Sequence, residues 1–406
     1  MKKTIIALAM SCATMAFSLS IRAQSSECPI EYIDLIHICH TDYGFTDNPE
    51  ITQELHRKFL DIGIDAVLET VDNKKLPKFY WTAEALETVD TWWRSNTPQR
   101  RKELLRAIKS GQLEITAMPF NVHPFHNETQ VNKLTNWTSD ELWSMLKPEV
   151  AMQNDVNGFP RSSAMKLMDK GIKYFWSGLN LHWGGIFHKP PYAFWWKMPD
   201  GRKALVWLGM SYWEGFDFFE PRQFRYAQRI ASNTQFRTPR IGDMYKSDEA
   251  SVREAHKICI ERINKMIKEG YPYDFISMTT TNQYRCDNDG PFPALADFVA
   301  KWNELGLKPR INFTTAAESM KKIEKRIGSK IDVLSGEWSD WWSFGVASVP
   351  RELSAARQAD LFLEAAKSPA WGFTPPNFYK QEDMITRDLC RFYEHTFASW
   401  ESNSKP

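Results

Sequence analysis

The chain has 406 residues, with 51 Lys and Arg against 50 Asp and Glu and a formal net charge of +1. That balance, with no basic block, speaks against a nucleic-acid partner. Its six cysteines are too scattered for a disulfide framework, while 17 Trp and 25 Phe predict an aromatic core with rings to spare for a groove.

The first residues read as a leader. Lys2-Lys3, the apolar run Ile5 to Phe17 and Ile21-Arg22-Ala23 have the charge, length and small-residue site of a secretory signal peptide over residues 1–23. The run is too short to span a bilayer, and no later stretch is apolar enough to do so. The expectation is an exported protein, periplasmic or secreted, with residues 24–406 forming one unit.

Ile33 to Ile38 is a short apolar run of buried-strand size, broken by Gly44 and Asn48-Pro49. A helix follows from Ile51 to Val71, then an aromatic strand Phe79-Tyr80-Trp81 and a helix Ala83 to Arg94. Pro98 to Ser110 is a helix stopped by Gly111. Next come strand Leu113 to Ile115, helix Ser139 to Leu146, strand Val150 to Gln153, helix Ser162 to Lys170 and strand Tyr174 to Trp176. From Leu179 to Gly242 proline and glycine break the regularity, and Ala204 to Gly209 is the one clear strand. Such a long insertion is often functional. Alternation resumes with helix Ser247 to Glu269, strand Asp274 to Met278, helix Ala294 to Glu304, strand Arg310 to Phe313 and a helix from Thr315. Helices Arg351 to Lys367 and Glu382 to Trp400 close the chain. Strand–helix alternation implies parallel strands. Six to eight units suit an α/β fold of the (β/α)7-8 barrel type with an aromatic-rich insertion.

In such a fold chemistry sits at the C-terminal ends of strands. His40-Thr41-Asp42 ends the first strand, and side chains two apart on extended backbone point the same way, so the pair can grip one cation. Asp155 follows the Val150 strand, and Asp287 and Asp289 lie in the polar loop after the Ile276 strand. Each is equally readable as a helix cap or solvated turn. Trp183, Trp195, Trp196, Trp213, Trp341 and Trp342 lie in loop-like stretches where rings can line a sugar-binding groove or pack beneath the loops.

Taken together, these motifs resemble glycoside hydrolase family 38, the α-mannosidase family. His40-Thr41-Asp42 resembles its opening His-x-Asp, and Phe79 to Trp93 its aromatic strand and Trp-bearing helix. Gly111 to Ile115 looks like its Gly-x-Leu/Ile-Glu-Ile, and Gln153-Asn154-Asp155 like its nucleophile segment. Asp287-Asn288, Gly336-Glu337-Trp338 and Glu394-His395-Thr396 follow in order. The resemblance implies that His40, Asp42, Asp155 and His395 bind one zinc ion, that Asp155 is the nucleophile of a retaining glycosidase, and that Asp287 is its acid/base, with Asp289 the second choice. It implies a carbohydrate substrate, with His123, Trp196, Asp289 and Trp342 as sugar contacts. The chain departs from the family in the extra residue between His37 and His40, in the motif around His395, and in ending at Pro406, short of the family's β-rich domains. Two other readings stay open: a metal-dependent polysaccharide deacetylase, and a glycan-binding relative without catalysis.

Overall fold

The computed structural model describes residues 28–44, 47–180, 186–219, 245–281, 288–338, 348–372 and 374–396. The opening apolar run forms β1 (Tyr32–Cys39), buried along nearly its whole length. It leads to α1 (Pro49–Asp72), which has Pro in its first turn. The short strands β2 (Trp81–Ala83) and β3 (Leu113–Ile115) are separated by α2 (Leu86–Ser95) and α3 (Pro98–Lys109). Thr97 caps α3 by accepting from the Arg100 N–H at 3.3 Å. Two short helices follow, α4 (Glu128–Thr135) behind an Asn127 capping box and α5 (Asp140–Leu146). The second half holds β4 (Val150–Asn154), α6 (Arg161–Asp169), β5 (Tyr174–Leu179), β6 (Tyr192–Lys197), β7 (Lys203–Ser211) and α7 (Glu214–Phe219). Then come α8 (Glu249–Lys268), β8 (Phe275–Thr280), α9 (Ala294–Glu304), β9 (Arg310–Thr314), α10 (Ala316–Ile327) and β10 (Asp332–Ser335). The helices α11 (Pro350–Ala366) and α12 (Phe378–Phe392) end the described chain.

The strands make two five-stranded sheets. In the first, β1 runs parallel to β8, to β9 and, through Ile38 and Cys39, to β2, which pairs with β3. The second has the order β10-β6-β7-β5-β4 and is parallel except where β6 meets β7. Among the described residues these ladders do not close on themselves. The sheets meet where Ala117 N–H donates to the Val150 carbonyl at 2.9 Å, and where Trp207 lies 5.9 Å from Phe275. The fold is therefore mixed α/β with largely parallel strands.

The punctuated stretch after Leu179 holds a strand that the sequence reading missed. Pro199-Asp200-Gly201 makes the turn of the β6–β7 hairpin, with Gly201 at φ +88° and its N–H on the Met198 carbonyl at 3.0 Å. Trp196, expected in a groove, is 1% exposed. It packs at 5.7 Å against Trp338 and donates from Nε1 to the Gly336 carbonyl at 3.1 Å. The aromatic surplus is mostly core: Trp92, Trp137, Trp176, Trp196, Trp207 and Trp302 are all fully buried. Among the described residues no helix is long and apolar enough to cross a membrane.

Candidate metal centre

His40, Asp42, Asp155 and His395 are all buried and present one donor atom each within 4.8 Å of one another. The first two follow β1, and Asp155 follows β4. His395 arrives from the far end of the chain, three residues after α12 ends at Phe392. Asp155 sits at φ +68°, a left-handed conformation that Asp tolerates better than most residues. Its backbone N–H donates to the Gly178 carbonyl at 2.8 Å.

Each donor is held by a second residue. Nδ1 of His40 lies 3.3 and 3.2 Å from the two carboxylate oxygens of Glu84, one residue past β2. Nδ1 of His395 bonds the carboxylate of its neighbour Glu394. Asn288 donates from Nδ2 to Asp42 Oδ2 at 2.6 Å and accepts from the Asp42 N–H at 2.7 Å. Asn180 donates to Asp155 Oδ1 at 2.6 Å. A carboxylate on Nδ1 fixes the tautomer and leaves Nε2 as the donor, which is how metal-bound histidines are oriented.

The freed Nε2 atoms point inward. That of His40 is 3.1 Å from Asp42 Oδ1, and that of His395 is 3.0 Å from the same oxygen and 3.4 Å from Asp155 Oδ2. Neither approach of His395 has hydrogen-bond geometry. Two neutral imidazoles that already donate through Nδ1 can only accept at Nε2, and here they face carboxylate oxygens that also accept. Among the described residues no lysine or arginine pairs with Asp42, Glu84, Asp155 or Glu394. Four buried carboxylates around two imidazoles therefore call for added positive charge. Protonation answers that call in part. Burial opposes the charged form of His40, but Glu84 and Asp42 outweigh it and push its pKa well above the imidazole range. His395 is raised likewise against burial, by Glu394, Asp155 and Asp42. Burial disfavours ionised Asp42 too, but His40 and His395 hold it far below the usual carboxylate range. A divalent cation with two nitrogen and two oxygen donors fits the same demand.

α12 is clamped where it delivers His395. Arg391 donates to Glu87 of α2 at 2.7 Å, and Arg387 lies 3.5 Å from Asp90, one turn on. Both guanidinium groups also cover the Trp137 ring, at 5.7 and 4.5 Å.

Asp287 and Trp342 lie outside the described residues. Asp289 is buried, and its Oδ1 accepts from the Gly290 N–H at 2.7 Å. His123 is buried, with its backbone N–H on the Tyr393 carbonyl at 3.3 Å. His37 is no ligand: it accepts at Nε2 from the Phe292 N–H at 2.8 Å and faces the Thr280 carbonyl through Nδ1. His56, on α1, is 6% exposed, with Nδ1 3.3 Å from Thr41 Oγ1. The sequence reading missed Glu84, Asn180 and Asn288 as supports. Glu84 had a signal, since it stands at a strand end like His40.

A family model described as the glycosyl hydrolases family 38 N-terminal domain matches residues 32–341. Alpha-mannosidase 2 of Arabidopsis thaliana is 27% identical over 116 residues, which cover 27% of this chain and 10% of that protein. Among solved structures, an alpha-mannosidase from Enterococcus faecalis V583 superposes with a TM-score of 0.56 at 13% identity, over 90% of this chain and 38% of that one. A family 38 glycosyl hydrolase protein from Enterococcus faecalis gives a TM-score of 0.51 at 12% identity, over 91% and 36%. At these identities the two structures show a shared fold, and the chain spans little more than a third of their length.

Proposed function

The chain belongs to glycosyl hydrolase family 38, and from that membership we propose that it is a zinc-dependent, retaining glycoside hydrolase of α-mannosidase type, and from its leader-like first residues that it is exported. The observation that carries the reading is the meeting of His40, Asp42 and Asp155, at the ends of β1 and β4, with His395 from the tail of α12, all within 4.8 Å. In this reading those four residues hold one zinc ion. Bound there, zinc supplies Lewis-acid binding of sugar hydroxyls and favours the ionised form of Asp155.

Asp155 attacks the anomeric carbon and becomes the glycosyl ester, and the leaving oxygen takes a proton from the acid/base. That residue then deprotonates the water that hydrolyses the ester, and net configuration is retained. Asp287 is our choice for this role and Asp289 the alternative. Asn288, the chain neighbour of Asp287, is bonded twice to Asp42, and that adjacency in sequence supports the choice. Asp289 and Trp342 are proposed as sugar-side residues; burial at 1% exposure removes Trp196 and His123 from that set. The contact of the two sheets at Ala117 and at Trp207 supports reading them as an opened (β/α)7-8 barrel. Residues 1–23 are read as a signal peptide and 24–406 as one catalytic unit, on sequence grounds alone.

The test joins elemental analysis to a panel of aryl glycosides. The wild-type chain should carry one zinc and release aryl alcohol from an α-mannoside with retention. Asp155→Asn should lose turnover by about 10³-fold or more while staying folded. Survival of turnover in that variant overturns the nucleophile assignment, and a zinc-free wild type overturns the metal. Acetate release from an acetylated glycan points to the deacetylase reading, and glycan binding without turnover to the inactive one.

A further inference from the structure

Asn121, in the turn after β3, is an uncharged residue 1% exposed. It touches the carriers of three of the four donors. Its Oδ1 accepts at 2.9 Å from the backbone N–H of Asn154, the residue before Asp155. Its Nδ2 donates at 2.7 Å to Glu84 Oε1, and Glu84 is the carboxylate that orients His40. Its backbone carbonyl accepts at 3.0 Å from the N–H of His395. The amide orientation is forced, because the N–H of Asn154 can only donate and so must face the oxygen, leaving the NH₂ for Glu84.

The neighbours extend the joint. Asn154 itself donates from Nδ2 to Glu84 Oε1 at 3.0 Å. The Val122 N–H meets Gln153 Oε1 at 3.2 Å, and Val122 bridges Glu394 in antiparallel sense. The ends of β2 and β4 and the tail of α12 therefore converge on one turn. Asp42 takes its bonds from Asn288 instead.

We propose that Asn121 is the positioning residue of this cluster: it registers His40, Asp155 and His395 against one another and thereby sets the affinity for the ion. The inference rests on the zinc reading above. Donor placement must hold to about 0.5 Å for productive geometry, and no donor makes that placement alone. Asn121→Asp keeps the acceptor for Asn154 but exchanges the donor facing Glu84 for a like charge. Asn121→Ala removes both side-chain bonds and leaves the backbone carbonyl.

The experiment measures Zn2+ affinity by competition with a chromophoric chelator, and folding by circular dichroism and thermal melting. Wild type, Asn121→Asp, Asn121→Ala and Asn303→Ala are compared. Asn303 makes the same two-sided amide bond away from the cluster, accepting from the Ile311 N–H at 3.2 Å and donating to its carbonyl at 2.8 Å. Both Asn121 variants should lose Zn2+ affinity by about 10–100-fold and alter the visible spectrum of the Co2+-loaded protein. Asn303→Ala should lower the melting temperature with Zn2+ affinity unchanged. The proposal is overturned if either folded Asn121 variant binds Zn2+ like wild type, or if Asn303→Ala weakens binding as much. A wild type that takes up no Zn2+ overturns the metal reading first.

Discussion

Both carboxylate oxygens of Glu84 lie on Nδ1 of His40, at 3.3 and 3.2 Å. One carboxylate oxygen of Glu394 bonds Nδ1 of His395, so each histidine of the cluster has its own glutamate. An ionised carboxylate there makes the imidazole a better donor than a neutral amide does. Glu84→Gln should therefore weaken Zn2+ binding by about 10–100-fold, seen in a chelator competition. Unchanged affinity would mean that the carboxylate only packs.

Asp155 holds a left-handed backbone at φ +68°. Gly adopts this conformation freely, while a Cβ costs roughly 1 kcal/mol or more. Asp155→Gly and Asp155→Ala both remove the donor oxygen, so their difference isolates the backbone. In urea denaturation of the metal-free protein, the Gly variant should be the more stable by about 1 kcal/mol. The reverse order would contradict the left-handed geometry.

Gly178 on β5 leaves room for the cluster. A Cβ there would lie 2.2 Å from Asn154 Oδ1 and 2.7 Å from Tyr212 Cβ. Asn154 donates to Glu84, and the Tyr212 ring lies 4.4 Å from that of His40. Gly178→Ala should cost about 1–3 kcal/mol of stability through overpacking and also weaken Zn2+ binding. A variant as stable as wild type would show that both neighbours move aside freely.

Two buried groups bend the pH dependence of stability in opposite senses. Burial lowers His37 from 6.5 to about 4, so the unfolded chain binds the extra proton as pH falls through that window. Its contribution is full above pH 6.5 and is lost toward pH 4. Burial raises Glu114 from 4.5 to about 7, against bonds from Ala317 and Thr82. Here the folded state binds the extra proton, so the contribution is full below pH 4.5 and is lost as pH rises to 7. Each group is worth roughly 1.4 kcal/mol per pH unit inside its window. Urea midpoints across the range should show it: His37→Gln should lower the slope of stability against pH and Glu114→Gln should raise it. Parallel profiles for the two variants would refute the assignment.

How far the sequence reached depended on distance along the chain. His40 and Asp42 were legible because alternation along a strand is a local rule. Asp155 stood out at a strand end, yet nothing near it says that it faces β1. His395 emerged only from the family resemblance, since no local pattern shows that Glu394-His395-Thr396 returns to the first strand. Glu84 was passed over because the aromatic strand was placed at Phe79 to Trp81, while the structure pairs Trp81–Ala83. Trp196 went to a groove because proline and glycine around it resembled loop punctuation, and only pairing with β7 makes that stretch a strand. Along α1 residue type misstates the inner face: His56 is buried with Phe59 and Leu60, while Ile62 is 44% exposed.

The clamp of Arg391 on Glu87 ties together distant parts of the chain. His40, Asp42 and Asp155 come from its first half, whereas His395 hangs on the tail of α12. Undocking that helix would open one corner of the cluster without disturbing either sheet, so a break at the clamp is felt at a distance by residues hundreds of positions away.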